Sequence, residues 1–235
     1  MSMKLDTLLK TNLLQHGAVL VGYGDITELS PTSRHELPVG VVVAVKYPKN
    51  VIIGIRNLPT KEYYEYYNLL NEKLDVLAEL GAQILREAGF SAIPQTRAYV
   101  NRFMFDDVAL MPHKTVATRA GIGWIGKCAL LVTERFGSMI RLSSILTDAP
   151  LETAKPVNKS HCGNCLDCTN ACPAGAVSGK LWSVGMKRES FFDAVACRKV
   201  ASERAIRGFG TEATICGKCI EICPYTRRYL NEEKE

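Results

Sequence analysis

The sequence predicts a mixed α/β domain over residues 1–155 followed by a cysteine-rich module over residues 156–235, and three observations carry that prediction. Apolar runs of strand length alternate with segments of helical periodicity across the first two thirds of the chain. Eight of the nine cysteines fall after residue 160. Both cysteine runs end in the same x3-Cys-Pro pattern, at Cys172-Pro173 and at Cys223-Pro224.

An amphipathic segment around Leu5 to His16 opens the chain. AVLVGYGDI then reads as a strand, and PVGVVVAVKYP as a second whose continuous apolarity suits a sheet covered on both faces. From Lys61 to Gly89, Leu70, Leu74, Leu77, Leu80, Ile84 and Ala88 recur at spacings of three and four, which predicts one long helix stopped by glycine. Tyr63, Tyr64, Tyr66 and Tyr67 go all the way round its first turns, so some cover core edges and others face outward or line a cleft. His113 to Ala120 reads as a short helix, and CALLVT and SMIRLSSILTD as strands. Cys128, alone in CALLVT, reads as a buried strand residue, with a ligand or nucleophile role as the alternative.

The cysteine spacing defines the chemistry of the module. Cys162, Cys165 and Cys168 form C-x2-C-x2-C, which wraps three thiolates around one cuboidal 4Fe-4S cluster, while Cys172 turns away to ligate a second. The later run keeps Cys216, Cys219 and Cys223. Alanine stands at position 213, where its first cysteine is expected, and Cys197 loops back to replace it. The ligand sets are then Cys162, Cys165, Cys168 and Cys223 for one cluster, and Cys197, Cys216, Cys219 and Cys172 for the other. A disulfide framework and a pair of zinc sites remain as alternatives, because even cysteine counts and C-x2-C pairs serve both. The first would need an export signal, which MSMKLDTLLKTNLLQHG does not supply. The second leaves the repeated x3-Cys-Pro ending unexplained.

At 235 residues and 47% hydrophobic content, the chain can bury a full core ahead of the cysteines. No run approaches the ~18–20 apolar residues of a membrane span. A soluble protein of the reducing cytoplasm, with no membrane partner, is expected. The formal charge of +5 counts every cysteine as neutral. Two oxidised clusters with their thiolates would each bring roughly −2 and leave the protein near +1, so the basicity is weak support for a nucleic-acid partner.

Residues 120–127, AGIGWIGK, form a further candidate. Gly121 and Gly123 permit close backbone approach to a ligand, Trp124 offers a broad apolar face, and Lys127 closes the segment. The segment lacks the strand-first context of a dinucleotide fingerprint and the G-K-[ST] ending of a phosphate loop, and a tight structural turn is the plain alternative.

TRAGIGWIGKCALLV, ILTDAPL, HCGNCLDCTNACPAGA and ICGKCIEICP together resemble the epoxyqueuosine reductase family and its relatives, the reductive dehalogenases, over about Ala18 to Tyr229. The resemblance implies a cobalamin-binding α/β domain related to nitroreductase folds, followed by a ferredoxin-like module with two 4Fe-4S clusters. It implies electrons that enter from a reduced ferredoxin- or flavodoxin-type donor, pass through the clusters to cobalt, and remove an epoxide oxygen from a modified tRNA base. It implies the cluster ligands residue by residue, and sets Gly121, Gly123, Trp124 and Lys127 against the corrin. It also implies Asp107, thirteen residues before Ala120, as proton donor, a role that burial would favour by raising its pKa. The neighbours Phe105, Asp106, Val108 and Ala109 depart from the family's D-S-A-P context, and a loop acid is the alternative.

His113 is a second catalytic candidate because imidazole titrates near neutral pH, and an ordinary helix start is the other reading. Arg227, Arg228, Arg198, Lys199, Arg204 and Arg207 suit an acidic electron donor or RNA phosphates, or simply solvated helix faces. The family's full-length tRNA enzymes continue into a helical-repeat segment, whereas YTRRYLNEEKE follows Pro224 here. The substrate, tRNA or a small molecule, is therefore separate from the mechanism. Three classes stay open: a cluster-bearing redox enzyme, an electron carrier that binds no cobalamin, and a nucleic-acid module with structural clusters.

Overall fold

In the computed structural model, which describes residues 4–103 and 110–232, the apolar runs become the strands of one four-stranded sheet. In chain order the elements begin with α1 (Leu5–Gln15), β1 (Leu20–Asp25), β2 (Val39–Lys46), α2 (Lys49–Gly54), α3 (Lys61–Glu87), β3 (Ala92–Pro94) and α4 (Arg97–Phe103). They continue with α5 (His113–Arg119), β4 (Trp124–Ile125), β5 (Leu131–Val132), β6 (Ile140–Thr147), α6 (Asp167–Asn170), α7 (Ala194–Phe209), α8 (Lys218–Glu221) and α9 (Pro224–Asn231). The chain divides into two compact units that interleave in sequence. One takes residues up to Val45, Leu70–Ile122 and Arg141–Val157, and the other takes Lys46–Leu69, Gly123–Ile140 and Asn158 onward. The cysteine-rich module thus groups with two earlier stretches that carry no compositional mark of it.

The first unit holds the sheet, in the order β1-β2-β6-β3. β1 runs antiparallel to β2 with Val21 opposite Val43, and β3 runs antiparallel to β6 with Ile93 opposite Leu146. Val41 to Val45 are buried without a break, as the continuous apolarity of β2 requires. Gly24 has a packing reason: a Cβ there would lie 2.6 Å from Ala120 N, so its absence lets the end of α5 lie directly on β1.

α3 starts where Thr60 Oγ1 accepts the Tyr63 N–H at 3.2 Å, and ends at Gly89, with Phe90 N–H reaching back to Leu85 O at 3.1 Å. Its buried stripe runs through Leu70, Leu74, Leu77, Ala78, Ala82 and Leu85. The expected Leu80, Ile84 and Ala88 lie off that line. Gly81 accounts for the difference, because a Cβ there would sit 2.5 Å from Ile145 Cδ1 and its absence brings the small-residue face onto β6.

In the second unit, β4 and β5 pair antiparallel, Trp124 opposite Val132. CALLVT is mostly not a strand: Leu131–Val132 pair with β4, Thr133 forms an isolated bridge with Gly137, and Cys128 sits in the turn between β4 and β5. Gly126 N–H closes that turn on Leu130 O at 2.8 Å, and Ala129 takes φ +60°. Of the tyrosines, Tyr63 is buried with its ring centroid 5.2 Å from that of Tyr47, and Tyr64 stacks on Phe209 at 5.2 Å. α7 is capped by Asp193, which accepts the Val195 and Ala196 N–H groups, and is stopped by left-handed Gly210. No helix among the described residues is long and apolar enough to cross a membrane.

Candidate iron–sulfur site

Two of the three C-x2-C pairs, one in each run, are C-G-x-C, and the glycines explain the local fold. Gly163 between Cys162 and Cys165 has φ +51°, and Gly217 between Cys216 and Cys219 has φ +73°. Each turns the chain so that two thiols two residues apart face one side, a conformation that strains any other residue. Cys165 N–H closes the first turn on Cys162 O at 3.1 Å. Cys168 and Cys219 stand on the short helices α6 and α8, and Cys223 caps α9, with Pro224 in its first turn.

The second unit brings the cysteines round two cavities. The first, of about 380 Å³, is lined by Cys162, Cys165, Cys168, Cys223 and Cys219, together with Cys128, Lys127 and Tyr225. The second, of about 30 Å³, is lined by Cys172, Cys197, Cys216 and Cys219, together with Val177, Phe192, Val200 and Ala201. Cys223 therefore stands with the first run and Cys172 with the second, while Cys219 borders both. The thiols sense the same grouping. Burial pushes the Cys223 pKa up, and the neighbouring Cys162 and Cys168 add to the rise; burial likewise raises Cys197, with Cys172 and Cys216 adding to it.

All nine cysteines are free of disulfides. Among the described residues no three His, Cys, Asp or Glu side chains converge as a single ion requires. The thiols instead surround voids, an arrangement that fits a 4Fe-4S cube better than tetrahedral zinc.

The β4–β5 hairpin supplies one wall of the first cavity. Trp124 is buried, and its indole N–H donates to Cys162 Sγ at 3.4 Å; its ring stacks on His161 at 4.8 Å and meets Tyr225 edge-on at 4.9 Å. Lys127 is 3% exposed, and its ammonium donates to Cys165 O at 2.8 Å. Cys128, fully buried, is hydrogen-bonded to Cys168 and Cys219, one cysteine from each run. The Cys168 contact draws its pKa down, but the Cys219 contact and burial outweigh this and push it up. Its reading as a buried residue holds, but in a turn beside the cysteines rather than in a strand. Its position next to Lys127 was the one sequence signal for this.

The four residues that the resemblance sets against a corrin do not fit that group as a binding face. A Cβ on Gly121 would meet Lys155 O at 2.9 Å, and one on Gly123 would meet Val132 O at 2.2 Å, so both glycines accommodate the chain itself. The polar atoms of Trp124 and Lys127 are directed to Cys162 and Cys165.

In the first unit, His113 Nδ1 lies 2.8 Å from Ser144 Oγ, Ser144 donates to Gln95 Oε1 at 2.6 Å, and Gln95 Nε2 donates to Met111 O at 3.1 Å. This order makes His113 Nδ1–H the donor to Ser144 and leaves Nε2 unprotonated. Burial lowers its pKa to about 4, with the Arg141 charge helping and Asp75 opposing. His113 is thus neutral near pH 7 and holds a lone pair rather than an available proton. Asp107 lies outside the described residues.

Sequence reading also missed Glu221. Its buried carboxylate accepts from Lys218 Nζ at 2.8 Å and from Arg227 at 3.2 Å, with Arg56 at 3.7 Å. Burial opposes its ionisation, yet the Lys218 and Arg227 hydrogen bonds hold its pKa below the usual carboxylate range. Arg228 pairs with Glu134 at 3.1 Å, so both arginines that follow the last cluster cysteine have partners within the unit.

The fold and the two thiol-lined cavities define an iron–sulfur protein of the double-cluster class, and a family described as a 4Fe-4S double cluster binding domain matches residues 161–226. The chain is epoxyqueuosine reductase-like. It is 30% identical to the epoxyqueuosine reductase of Cellulophaga algicola over 70% of its length, and 31% identical to that of Listeria monocytogenes over 73%. It spans 49% and 42% of those two relatives. An epoxyqueuosine reductase solved with an epoxyqueuosine-modified tRNA-Tyr stem loop superposes with TM-score 0.60 at 19% identity, covering 95% of this chain and 65% of that one. A catabolic reductive dehalogenase in complex with 3-bromo-4-hydroxybenzoic acid gives TM-score 0.66 at 17% identity, over 93% of this chain and 31% of that one. At these identities both likenesses speak to the fold alone.

Proposed function

We propose that this chain is an iron–sulfur reductase of the epoxyqueuosine reductase type, working in a reducing cytoplasm, with a nitroreductase-like first unit. Cys162, Cys165, Cys168 and Cys223 hold one 4Fe-4S cluster, and Cys172, Cys197, Cys216 and Cys219 hold the other. When bound, each cluster accepts and releases one electron. The observation that carries the reading is the exchange of the two Cys-Pro cysteines between the thiol-lined cavities.

The chain's own groups orient those sites: Tyr225 lines the first with Trp124 packed edge-on against it, while Val177 and Phe192 line the second. Deoxygenation of an epoxide breaks both C–O bonds, forms a C=C bond and releases water, taking up two electrons and two protons. The electrons come from a ferredoxin- or flavodoxin-type donor, the substrate is an epoxide-bearing tRNA, and Asp107 supplies a proton at the departing oxygen.

Iron and acid-labile sulfide analysis of anaerobically prepared protein tests the clusters; zinc without sulfide would sink them. Turnover of epoxyqueuosine-modified tRNA under a low-potential reductant tests the activity. Asp107→Asn is expected to abolish turnover with iron content unchanged, and undiminished turnover would remove Asp107 from the mechanism.

The engagement of Gly121, Gly123, Trp124 and Lys127 within the chain favours a second reading, an electron carrier that reduces a partner and binds no cobalamin. Anaerobic titration of cob(II)alamin, read by electron paramagnetic resonance, separates the two: a base-off protein-bound signal supports a corrinoid enzyme, and an unperturbed signal supports the carrier.

A further inference from the structure

We infer that Lys127 and Trp124 hold the first cluster at a higher reduction potential than the second, so that an electron added to the protein settles in the first cavity. The inference rests on the two-cluster reading above and extends it to the relative potentials, which the ligand spacing leaves equal.

Every cluster becomes more negative by one charge on reduction, so a fixed buried cation beside it stabilises the reduced form. An N–H donated to a ligand sulfur does the same by withdrawing electron density. Lys127 is 3% exposed and borders the first cavity, and its ammonium is held on the backbone of a cluster cysteine, at Cys165 O. Among the described residues no carboxylate pairs with it.

The second cavity differs in this respect. Lys218 borders it, but its side chain is 20% exposed and its ammonium lies 2.8 Å from Glu221 Oε2, a carboxylate it shares with Arg227 and Arg56, so its charge is screened by solvent and partly offset there. The rest of the lining is largely apolar: Val177, Phe192, Val200 and Ala201. The N–H groups on the ligand sulfurs are unequal as well: in the first cavity the Trp124 indole reaches Cys162 at 3.4 Å, the Asp167 backbone reaches Cys165, and the Tyr225 and Thr226 backbones reach Cys223, while in the second the Ala176 backbone reaches Cys172 at 3.4 Å. The buried, uncompensated ammonium adds to that difference, and in a low-dielectric cavity an unpaired charge outweighs a single neutral hydrogen bond.

The test is a reductive titration of the anaerobically reconstituted full chain, monitored by electron paramagnetic resonance, for wild type, Lys127→Met, Lys127→Arg and Trp124→Phe. The wild type is expected to show two separated midpoints. Lys127→Met should lower the higher one and leave the lower in place, Lys127→Arg should restore it, and Trp124→Phe should lower the same midpoint by less. A higher midpoint unmoved by Lys127→Met, or a shift in the lower one instead, overturns the inference. If Lys127→Met fails to load the first cavity, Trp124→Phe decides: an unshifted higher midpoint overturns the inference. Iron and sulfide contents, measured on the same samples, keep this apart from failure of the cluster reading itself, which would show as their absence from the wild type.

Discussion

The imidazole of His113 stays neutral in the folded chain because burial and the Arg141 charge both disfavour the imidazolium, lowering its pKa from 6.5 to about 4. The unfolded chain titrates near the ordinary value, so below about pH 6.5 it takes up a proton that the folded chain refuses. The stability that depends on a neutral His113 is complete above that pH. It falls as the pH drops toward 4, by about 3 kcal/mol in all. Urea denaturation at a series of pH values should show this loss in the wild type and a flatter profile in His113→Gln between pH 6.5 and 4; an equally steep loss in both would remove His113 as the cause. Glu221, with its lowered pKa, adds a separate loss below about pH 4.5. The eight cysteines were legible as residues because their chemistry is fixed by spacing. His113 was legible as a candidate but not in its protonation, since Ser144 and Gln95, which order its protons, lie 31 and 18 residues away in sequence and meet it only in the fold.

Among the elements, the two C-G-x-C turns are formally alike and physically different. Gly163 has open space around its Cα, whereas a Cβ on Gly217 would lie 2.3 Å from Ile55 Cδ1 and 3.2 Å from the Tyr63 ring. Gly163→Ala should therefore cost about 1 kcal/mol, the left-handed backbone penalty alone. Gly217→Ala adds a clash in a packed interior and should cost about 2–3 kcal/mol more. Thermal denaturation together with iron content checks the ranking; equal losses would mean that the close approach at Ile55 relaxes freely. The long elements were readable in advance: β2 from its unbroken valines, and α3 from its leucine spacing. The two-residue β4 and β5 and the three-residue β3 were not, because so few residues carry no period. The turn at Cys128 was hidden inside what looked like a strand, one residue beyond the segment for which a tight turn was the alternative.

At the scale of the whole molecule, the interleaving of the two units was the least legible feature. Lys46–Leu69 and Gly123–Ile140 carry ordinary apolar and tyrosine-rich sequence, and they group with the cysteine-rich part through contacts such as Tyr64 to Phe209 and Trp124 to Cys162. Because the unit that holds these cysteines is built from three separate stretches of chain, metal loss should loosen more than the last third. Thermal melts of intact and air-bleached protein are expected to differ, with the bleached form melting earlier; superimposable curves would mean that the metal contributes nothing to folding.

The exchange of Cys172 and Cys223 between the cavities has a further consequence for loading. With each site borrowing one cysteine from the other's run, filling either one fixes the loop that the other needs, and emptying either releases it. A preparation at half its iron content should then be a mixture of fully loaded and empty chains rather than a uniform population of half-filled ones. Native mass spectrometry would register two mass peaks with little between them.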